Sequence, residues 1–212
     1  MSNLPPLSLL ETRVLGVLVE KQRTVPDTYP LSLNALMAGC NQKTSREPVL
    51  DASETDVTTA IDTLRSHTLV MESNGGRVVR YAHNMDKVLG LPSQSVALLT
   101  ILMLRGPQTA GELRLNCDRL HKFADISTVE AFLQELAARP AAALVMELPR
   151  QPGARENRWA HLLSGEPQFE TTSSMAMPQP SQHALEGRVA ALETELAALR
   201  ATVTELQAAL GG

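Results

Sequence analysis

The pattern of apolar and polar positions along the chain occurs twice. The string Leu69-Val70-Met71-Glu72 returns as Leu144-Val145-Met146-Glu147, and Arg80-Tyr81-Ala82-His83 returns, in the same order, as Arg158-Trp159-Ala160-His161. Two matches in one order favour an internal duplication over chance. They indicate two copies of one structural unit, which we name the first repeat (residues 1–90) and the second repeat (residues 91–165).

An amphipathic helix is predicted ahead of each of these strings. Its apolar residues follow i, i+3, i+4, i+7 spacing, which places them on one helix face. Ser53 and Asp125 precede the two helices at the same offset, and both residue types accept hydrogen bonds from the first N–H groups of a helix. The matching apolar residues are Val57, Ala60, Ile61 and Leu64 in one repeat and Val129, Phe132, Leu133 and Leu136 in the other.

Each repeat is predicted as three helices followed by two strands. The capping box Ser8-x-x-Glu11 begins the first helix, and Thr109-x-x-Glu112 is a second such box in the other repeat. Asn74-Gly75 predicts a tight turn between strands, because both residues tolerate positive φ. The predicted helices span about 8–21, 31–38, 53–67, 93–105, 109–115 and 125–137, and the predicted strands about 69–73, 77–83, 143–148 and 157–162.

Three helices and a carboxy-terminal hairpin are the plan of the winged helix, which is a helix-turn-helix with a β wing. The predicted fold is therefore mainly α with small β wings, as tandem winged-helix domains at residues 1–90 and 91–165. Residues 166–182 are rich in Pro, Ser, Thr, Gln and Met and are predicted to be a flexible linker.

Residues 183–212 are predicted to form a coiled-coil helix, because apolar residues recur there at alternating spacings of four and three. Pairing two chains would remove this seam from water, and a parallel homodimer would place Arg188 opposite Glu193 and Glu195 opposite Arg200. The alternative is one helix packed on its own domain. The expected dimerisation residues are Leu185, Val189, Leu192, Leu196, Leu199, Val203 and Leu206.

Charge is distributed unevenly over the 212 residues, whose net charge is −4. Residues 1–165 hold 17 basic and 17 acidic side chains, and residues 166–212 hold 2 basic and 6 acidic ones. A neutral body can still carry a local basic face. No apolar run approaches the roughly 20 residues of a membrane span, and Met1–Pro6 does not resemble a secretory signal, so a cytoplasmic protein is expected.

Catalytic motifs such as GxSxG, HExxH and a phosphate-binding loop are absent from the sequence. The two cysteines, Cys40 and Cys117, occupy equivalent places in the repeats, as do His83 and His161, which favours structural roles. We therefore expect a protein that is not an enzyme and that holds no cofactor and no metal ion.

Three strings of the first repeat resemble a known family. They are Glu20-Lys21-Gln22, the segment from Thr24 to Asn34, and the segment from Cys40 to Val49. In these residues the chain is similar to the YceH-like family of bacterial proteins with paired winged-helix domains. The resemblance covers about residues 7–165. It implies the tandem winged-helix fold, and it implies no function, because the activity of that family is not settled.

Basic and hydroxyl side chains of the first repeat form a candidate DNA-binding surface. Lysine and arginine would contact phosphates, and threonine and serine would add hydrogen bonds. The alternative is a solvated loop in which Arg46 pairs with Glu47 or Asp51. The candidate residues are Lys43, Thr44, Ser45 and Arg46 after the second helix, Thr58 and Arg65 on the third helix, and Arg77 and Arg80 in the wing.

The third helices weaken the prediction of DNA binding. A recognition helix reads bases with its first residues, yet the first repeat places Glu54 and Asp56 there, and the second repeat places Glu130 and Glu135 on its third helix. The function that the sequence favours is nevertheless a dimeric DNA-binding protein or transcriptional regulator. The alternative is a protein-interaction adaptor that uses the same fold without DNA. A positive strip over Lys43, Arg46, Arg65 and Arg77 would favour the first function.

Overall fold

A computed structural model of the chain describes residues 4–73, 78–167 and 200. Over these residues the protein is mainly helical, with small antiparallel sheets. The elements are α1 (Leu9–Thr24), a 3-10 turn (Pro26–Thr28), β1 (Leu31–Ser32), α2 (Leu33–Cys40), α3 (Glu54–Ser66), β2 (Val70–Ser73), β3 (Arg80–His83), α4 (Met85–Leu89), α5 (Ser93–Arg105), α6 (Ala110–Asn116), α7 (Ile126–Ala137), β4 (Val145–Glu147) and β5 (Trp159–His161).

The helix starts follow local sequence signals. The side chains of Ser8, Ser53 and Thr109 each accept a hydrogen bond from the backbone of the third residue of the following helix. The carboxylate at that third position accepts one from the backbone N–H of the cap residue. Asp125 caps α7 by accepting from the backbone of Thr128 at 2.7 Å. Each cap satisfies N–H groups that have no partner within the helix.

The two repeats have matching strand registers. Val70 is opposite His83 in the β2–β3 pair, and Val145 is opposite His161 in the β4–β5 pair. Residues 74–77 lie outside the described residues, so the predicted Asn74-Gly75 turn is not described, although the strands on both sides of it pair as predicted.

A further backbone segment, which the hydrophobic pattern does not predict, pairs with each hairpin. In the first repeat β1 pairs with β3 through Leu31 and Tyr81. In the second repeat the contact is reduced to a bridge between Gln108 and Trp159, whose backbones exchange hydrogen bonds of 3.1 and 2.7 Å. In both repeats this contact immediately precedes the cap of the second helix, which is Ser32 or Thr109.

One continuous core connects the two repeats, and α1 packs directly on α5. Residues 12–19 of α1 and 95–104 of α5 are all buried, as expected for helices with neighbours on every side. A Cβ atom at Gly16 would lie 3.0 Å from the side chain of Leu104, so this glycine permits the close approach of α1 to α5. Residues 1–90 and 91–165, predicted as two domains, thus share the compact unit Met1–Pro167.

The heptad residues from Leu185 to Leu206 and most of the predicted linker lie outside the described residues. Among the helices that are described, none combines the length and the apolar character needed to cross a membrane.

Candidate nucleic-acid interface

The loop between α2 and α3, residues 41–53, contains half of the residues predicted to contact DNA. Its two ends are joined by the side chain of Asn41, which donates to the carbonyl of Ala52 at 2.9 Å and accepts from its N–H at 2.8 Å. From α1, the buried guanidinium of Arg13 donates to the carbonyls of Cys40 and Pro48 at 3.1 and 2.7 Å. These bonds fix the loop on the core, because buried backbone carbonyls require partners.

Arg46 was predicted to contact phosphate, and the structure contradicts this prediction. Its side chain is fully buried, and its guanidinium donates to the two carboxylate oxygens of Glu20 at 2.6 and 3.2 Å and to the carbonyl of Gly39 at 3.1 Å. The alternative partners Glu47 and Asp51 were also wrong. Glu20 lies in α1, 26 residues earlier, and sequence spacing carries no signal for such a pair.

The neighbours of Arg46 in the loop differ in their exposure to solvent. Lys43 and Thr44 are exposed at the surface. Ser45 has a positive φ of 60°, and its hydroxyl accepts a hydrogen bond of 2.8 Å from Arg105 at the end of α5. The loop of the first repeat is therefore connected to a cation of the second repeat that the sequence analysis did not select.

The exposed side of α3 is rich in carboxylates. Glu54, Asp56 and Asp62 are exposed, and hydrogen bonds from the side chain and backbone of Ser53 lower the pKa of Asp56, which stabilises its charged form. Arg65 lies 3.3 Å from Asp62 and 2.8 Å from Glu72. The one arginine of this helix is thus neutralised by two acidic neighbours.

The other predicted contact residues of the first repeat have local partners or are not described. The Thr58 hydroxyl donates to the carbonyl of Glu54 at 2.8 Å, within the same helix. Arg80 is exposed but donates to the carbonyls of Thr28 and Pro30 at 3.3 and 2.8 Å. Arg77 lies outside the described residues. Among the predicted contact residues that the structure describes, Arg46 and Arg65 each pair with a carboxylate.

A polar cleft of about 520 Å³ lies where the 41–53 loop meets the second repeat. Its lining includes Ser45, Arg105, Gln108, Asn116 and Arg158. Gln108 is buried, and its side-chain oxygen accepts from the amide of Asn116 at 2.6 Å. The cleft also contains Glu47 and Glu112, so its arginines are balanced by carboxylates.

The second repeat exposes apolar side chains on α6 and at the start of α7. Leu115 on α6 is 72% exposed, and Ile126, the first residue of α7, is 44% exposed. A Cβ atom at Gly111 would lie 3.9 Å from the Cδ1 atom of Ile126, and Leu115 lies one turn after Gly111 on the same helix. We name the surface formed by Gly111, Leu115 and Ile126 the α6–α7 face.

The connection between β4 and β5 carries three exposed arginines, Arg150, Arg155 and Arg158. Arg150 donates to the carbonyl of Ala154 at 3.0 Å, within the connection. Arg158 lies 3.9 Å from the carboxylate of Glu112. None of these three arginines is among the residues predicted to contact DNA.

The cysteines and paired histidines lie in the interior. Burial raises the pKa of the Cys40 and Cys117 thiols to about 12, which keeps them protonated and unreactive at neutral pH. The Nε2 atom of His83 lies 2.7 Å from the side-chain oxygen of Gln22, and burial lowers the pKa of both His83 and His161. Within the described residues, no group of three or more His, Cys, Asp or Glu side chains could hold a metal ion.

Comparison with known proteins identifies the family. The profile of the family described as "Protein of unknown function, DUF480" matches residues 7–154. A UPF0502 protein of Dechloromonas aromatica (strain RCB) is 63% identical over 204 residues, which covers 95% of this chain and 96% of the relative. A UPF0502 protein of Burkholderia orbicola (strain MC0-3) is 59% identical over 212 residues, which covers 97% of this chain and 89% of the relative. The resemblance to the YceH-like proteins is thereby confirmed, and the chain belongs to the DUF480 (UPF0502) family of bacterial proteins.

Proposed function

We propose that the chain is a protein-interaction adaptor made of two winged-helix domains and paired into a dimer by its carboxy-terminal heptads. The winged-helix assignment is supported by the same order of three helices and a hairpin in both repeats, with the same strand register. Dimerisation is supported by the apolar heptad seam from Leu185 to Leu206 in the sequence.

The main support for the proposal is the charge of the third helix of each repeat, α3 and α7. DNA affinity rests largely on cations placed against phosphates. On α3 the exposed first turn carries Glu54 and Asp56, and Arg65 is held by two carboxylates. Helix α7 contains neither lysine nor arginine. Neither helix therefore offers the charge that a recognition helix needs in a major groove.

The α6–α7 face supports a protein as the partner. Large apolar side chains exposed on adjacent elements are typical of surfaces that bury against another protein. Leu115 and Ile126 are two such side chains. They lie on the second and third helices of the repeat, which are the helices that a helix-turn-helix would place against DNA. We expect the partner to present apolar side chains to this face, since burial of apolar surface would supply the affinity.

Site-specific photo-crosslinking in cells tests this proposal. A photoreactive residue at position 115 should give one discrete product that is heavier than the crosslinked homodimer, and the same residue at position 150 should not. Ile126→Asp should abolish the product, whereas Leu9→Asp, which changes an exposed apolar residue of α1, should leave it. Equal products from positions 115 and 150, or a product insensitive to Ile126→Asp, would contradict the proposal.

A second candidate function is DNA binding through the arginines of the β4–β5 connection. The exposed positions of Arg150, Arg155 and Arg158 favour it, because wings can contact the DNA backbone. If they do, Arg155→Glu should weaken binding to duplex DNA and lower the slope of log affinity against log salt by about one. Fluorescence anisotropy with labelled duplexes distinguishes this function from the adaptor.

A further inference from the structure

A cavity of about 620 Å³ lies between the two repeats, on the side of the molecule where α4 approaches the end of α7. The first repeat contributes Val88 and Leu89 from α4, and the second repeat contributes Leu144 and Leu162 from the ends of the hairpin. Small-molecule sites in proteins have volumes of roughly 300–1,000 Å³, and they occur preferentially between domains. The dimensions and the placement of this cavity therefore fit a small ligand.

The guanidinium of Arg139 lines this cavity. Arg139 lies just beyond the carboxy-terminal end of α7. It is partly buried, and one Nη atom donates to the carbonyl of Leu89 at 2.7 Å. Over residues 4–73 and 78–167, no carboxylate lies within 4.0 Å of it. Glu135, one turn earlier, lines a neighbouring cavity together with Arg139 and forms no ion pair with it.

Among the described residues, the guanidinium of Arg139 makes one hydrogen bond. A guanidinium has five N–H donors in a planar fork, and one bond to a carbonyl leaves the charge without a counter-ion. Removing a charge partly from water without an opposite charge is unfavourable. Arg46 and Arg65 each pair with a carboxylate. Arg13 also lacks a carboxylate partner among the described residues, but it donates to two carbonyls, whereas Arg139 donates to one and lines the cavity.

We propose that this cavity binds a small amphipathic carboxylate, with the carboxylate on the free N–H groups of Arg139 and the alkyl body against Val88, Leu89, Leu144 and Leu162. Arginine pairs with carboxylates through parallel hydrogen bonds, which gives both affinity and orientation. The apolar walls stabilise the alkyl part by removing it from water. The proposal does not depend on what the α6–α7 face binds.

Isothermal titration calorimetry on the full-length chain tests this site with octanoate and octanol as probes. Octanoate should bind saturably at one site per chain, and octanol, which has the same alkyl chain without the charge, should bind more weakly. Arg139→Met keeps a long side chain but removes the charge. It should weaken octanoate binding by about tenfold or more, because a charge-assisted hydrogen bond contributes that much, and it should leave octanol binding unchanged.

The matched control is Arg150→Met, which removes an exposed arginine outside the cavity and should leave octanoate binding at the wild-type value. If Arg139→Met fails to fold, Ala143→Phe tests the same site, because Ala143 lines the cavity and a ring there would occupy part of it. Octanoate affinity should then fall while Arg139 remains. Absence of saturable octanoate binding, or equal affinity in wild type and in folded Arg139→Met or Ala143→Phe, would overturn the proposal.

Discussion

Glu20 and Arg46 are joined by two hydrogen bonds, of 2.6 and 3.2 Å, between helix α1 and the loop that leads to α3. Arg46 is fully buried in this pair, whereas the Glu20 side chain is 16% exposed. Since the same guanidinium also donates to the carbonyl of Gly39, one side chain connects α1, the end of α2 and the loop. The pair thus helps to fix the conformation of the 41–53 loop, which contains four of the residues predicted to contact DNA.

Removing Glu20 should therefore destabilise the protein strongly. Glu20→Ala leaves a buried cation without its counter-ion, and breaking a buried ion pair costs about 3–5 kcal/mol. Glu47→Ala, in the same loop but exposed, should change the free energy of unfolding by no more than about 0.5 kcal/mol. Urea denaturation of both variants measures this difference. Equal free energies of unfolding for the two variants would show that the pair contributes little.

Gly39 in α2 and Gly111 in α6 differ in the space available for a side chain, so they test the packing of these helices. A Cβ atom at Gly39 would lie 2.5 Å from the Cγ1 atom of Val17, whereas the nearest atom to a Cβ at Gly111 is at 3.9 Å. Gly39→Ala should destabilise the protein by about 1–3 kcal/mol through overpacking, because valine has little rotamer freedom. Gly111→Ala should be neutral or stabilising by up to about 1 kcal/mol, since alanine favours helix. Thermal melts that rank the variants in the opposite order would contradict the packing of α1 on α2.

His161 should make the stability depend on pH. Burial lowers its pKa from 6.5 to about 4, so the unfolded chain takes up a proton in this interval and the folded chain does not. Stability is therefore complete above about pH 6.5 and falls as the pH is lowered towards 4. Between about pH 7.5 and pH 5 the loss from this residue should be about 2 kcal/mol.

The pH effect is measured by urea denaturation at both pH values for the wild type and for His161→Gln. The variant should lose less stability on acidification than the wild type. His67→Gln, which changes a histidine at the end of α3, serves as the control and should retain the wild-type loss. The same pH dependence in wild type and His161→Gln would contradict burial of a neutral His161.

Local signals in the sequence were sufficient for most of the helices. The capping residues Ser8, Ser53 and Thr109 start helices where the sequence predicts them, and α5 has its predicted bounds. The short elements β1 and α4 were missed. Two residues of β-strand carry no periodicity, and the five-residue helix α4 is too short for an amphipathic pattern to develop.

The candidate site was less predictable, because its geometry depends on contacts between distant segments. Arg46 was selected for its basic neighbours, but its environment is set by Glu20, which is 26 residues away. Ser45 similarly meets Arg105, which is 60 residues away. Sequence reasoning identifies which side chains carry charge, but tertiary packing decides which of them remain in solvent.

The heptad seam should control assembly. Leu196→Glu places two like charges opposite each other at an a layer of the proposed parallel pair, so the chain should change from a dimer to a monomer. Ala198→Glu, at an outward c position of the same turn, should remain dimeric. Light scattering gives the masses of the wild type and both variants. A wild-type monomer, or a Leu196→Glu dimer, would show that the heptad segment does not pair the chains.

Titration of duplex DNA with the full-length chain tests the central claim most directly, which is that the third helices do not read DNA. Fluorescence anisotropy with labelled genomic fragments should give no binding tighter than about 1 µM at physiological salt, the upper end of non-specific affinity. The weak binding that remains should be the same for the wild type and for Arg65→Glu, since Arg65 is already held by Asp62 and Glu72. A sequence-dependent affinity in the nanomolar range that Arg65→Glu weakens would contradict the account.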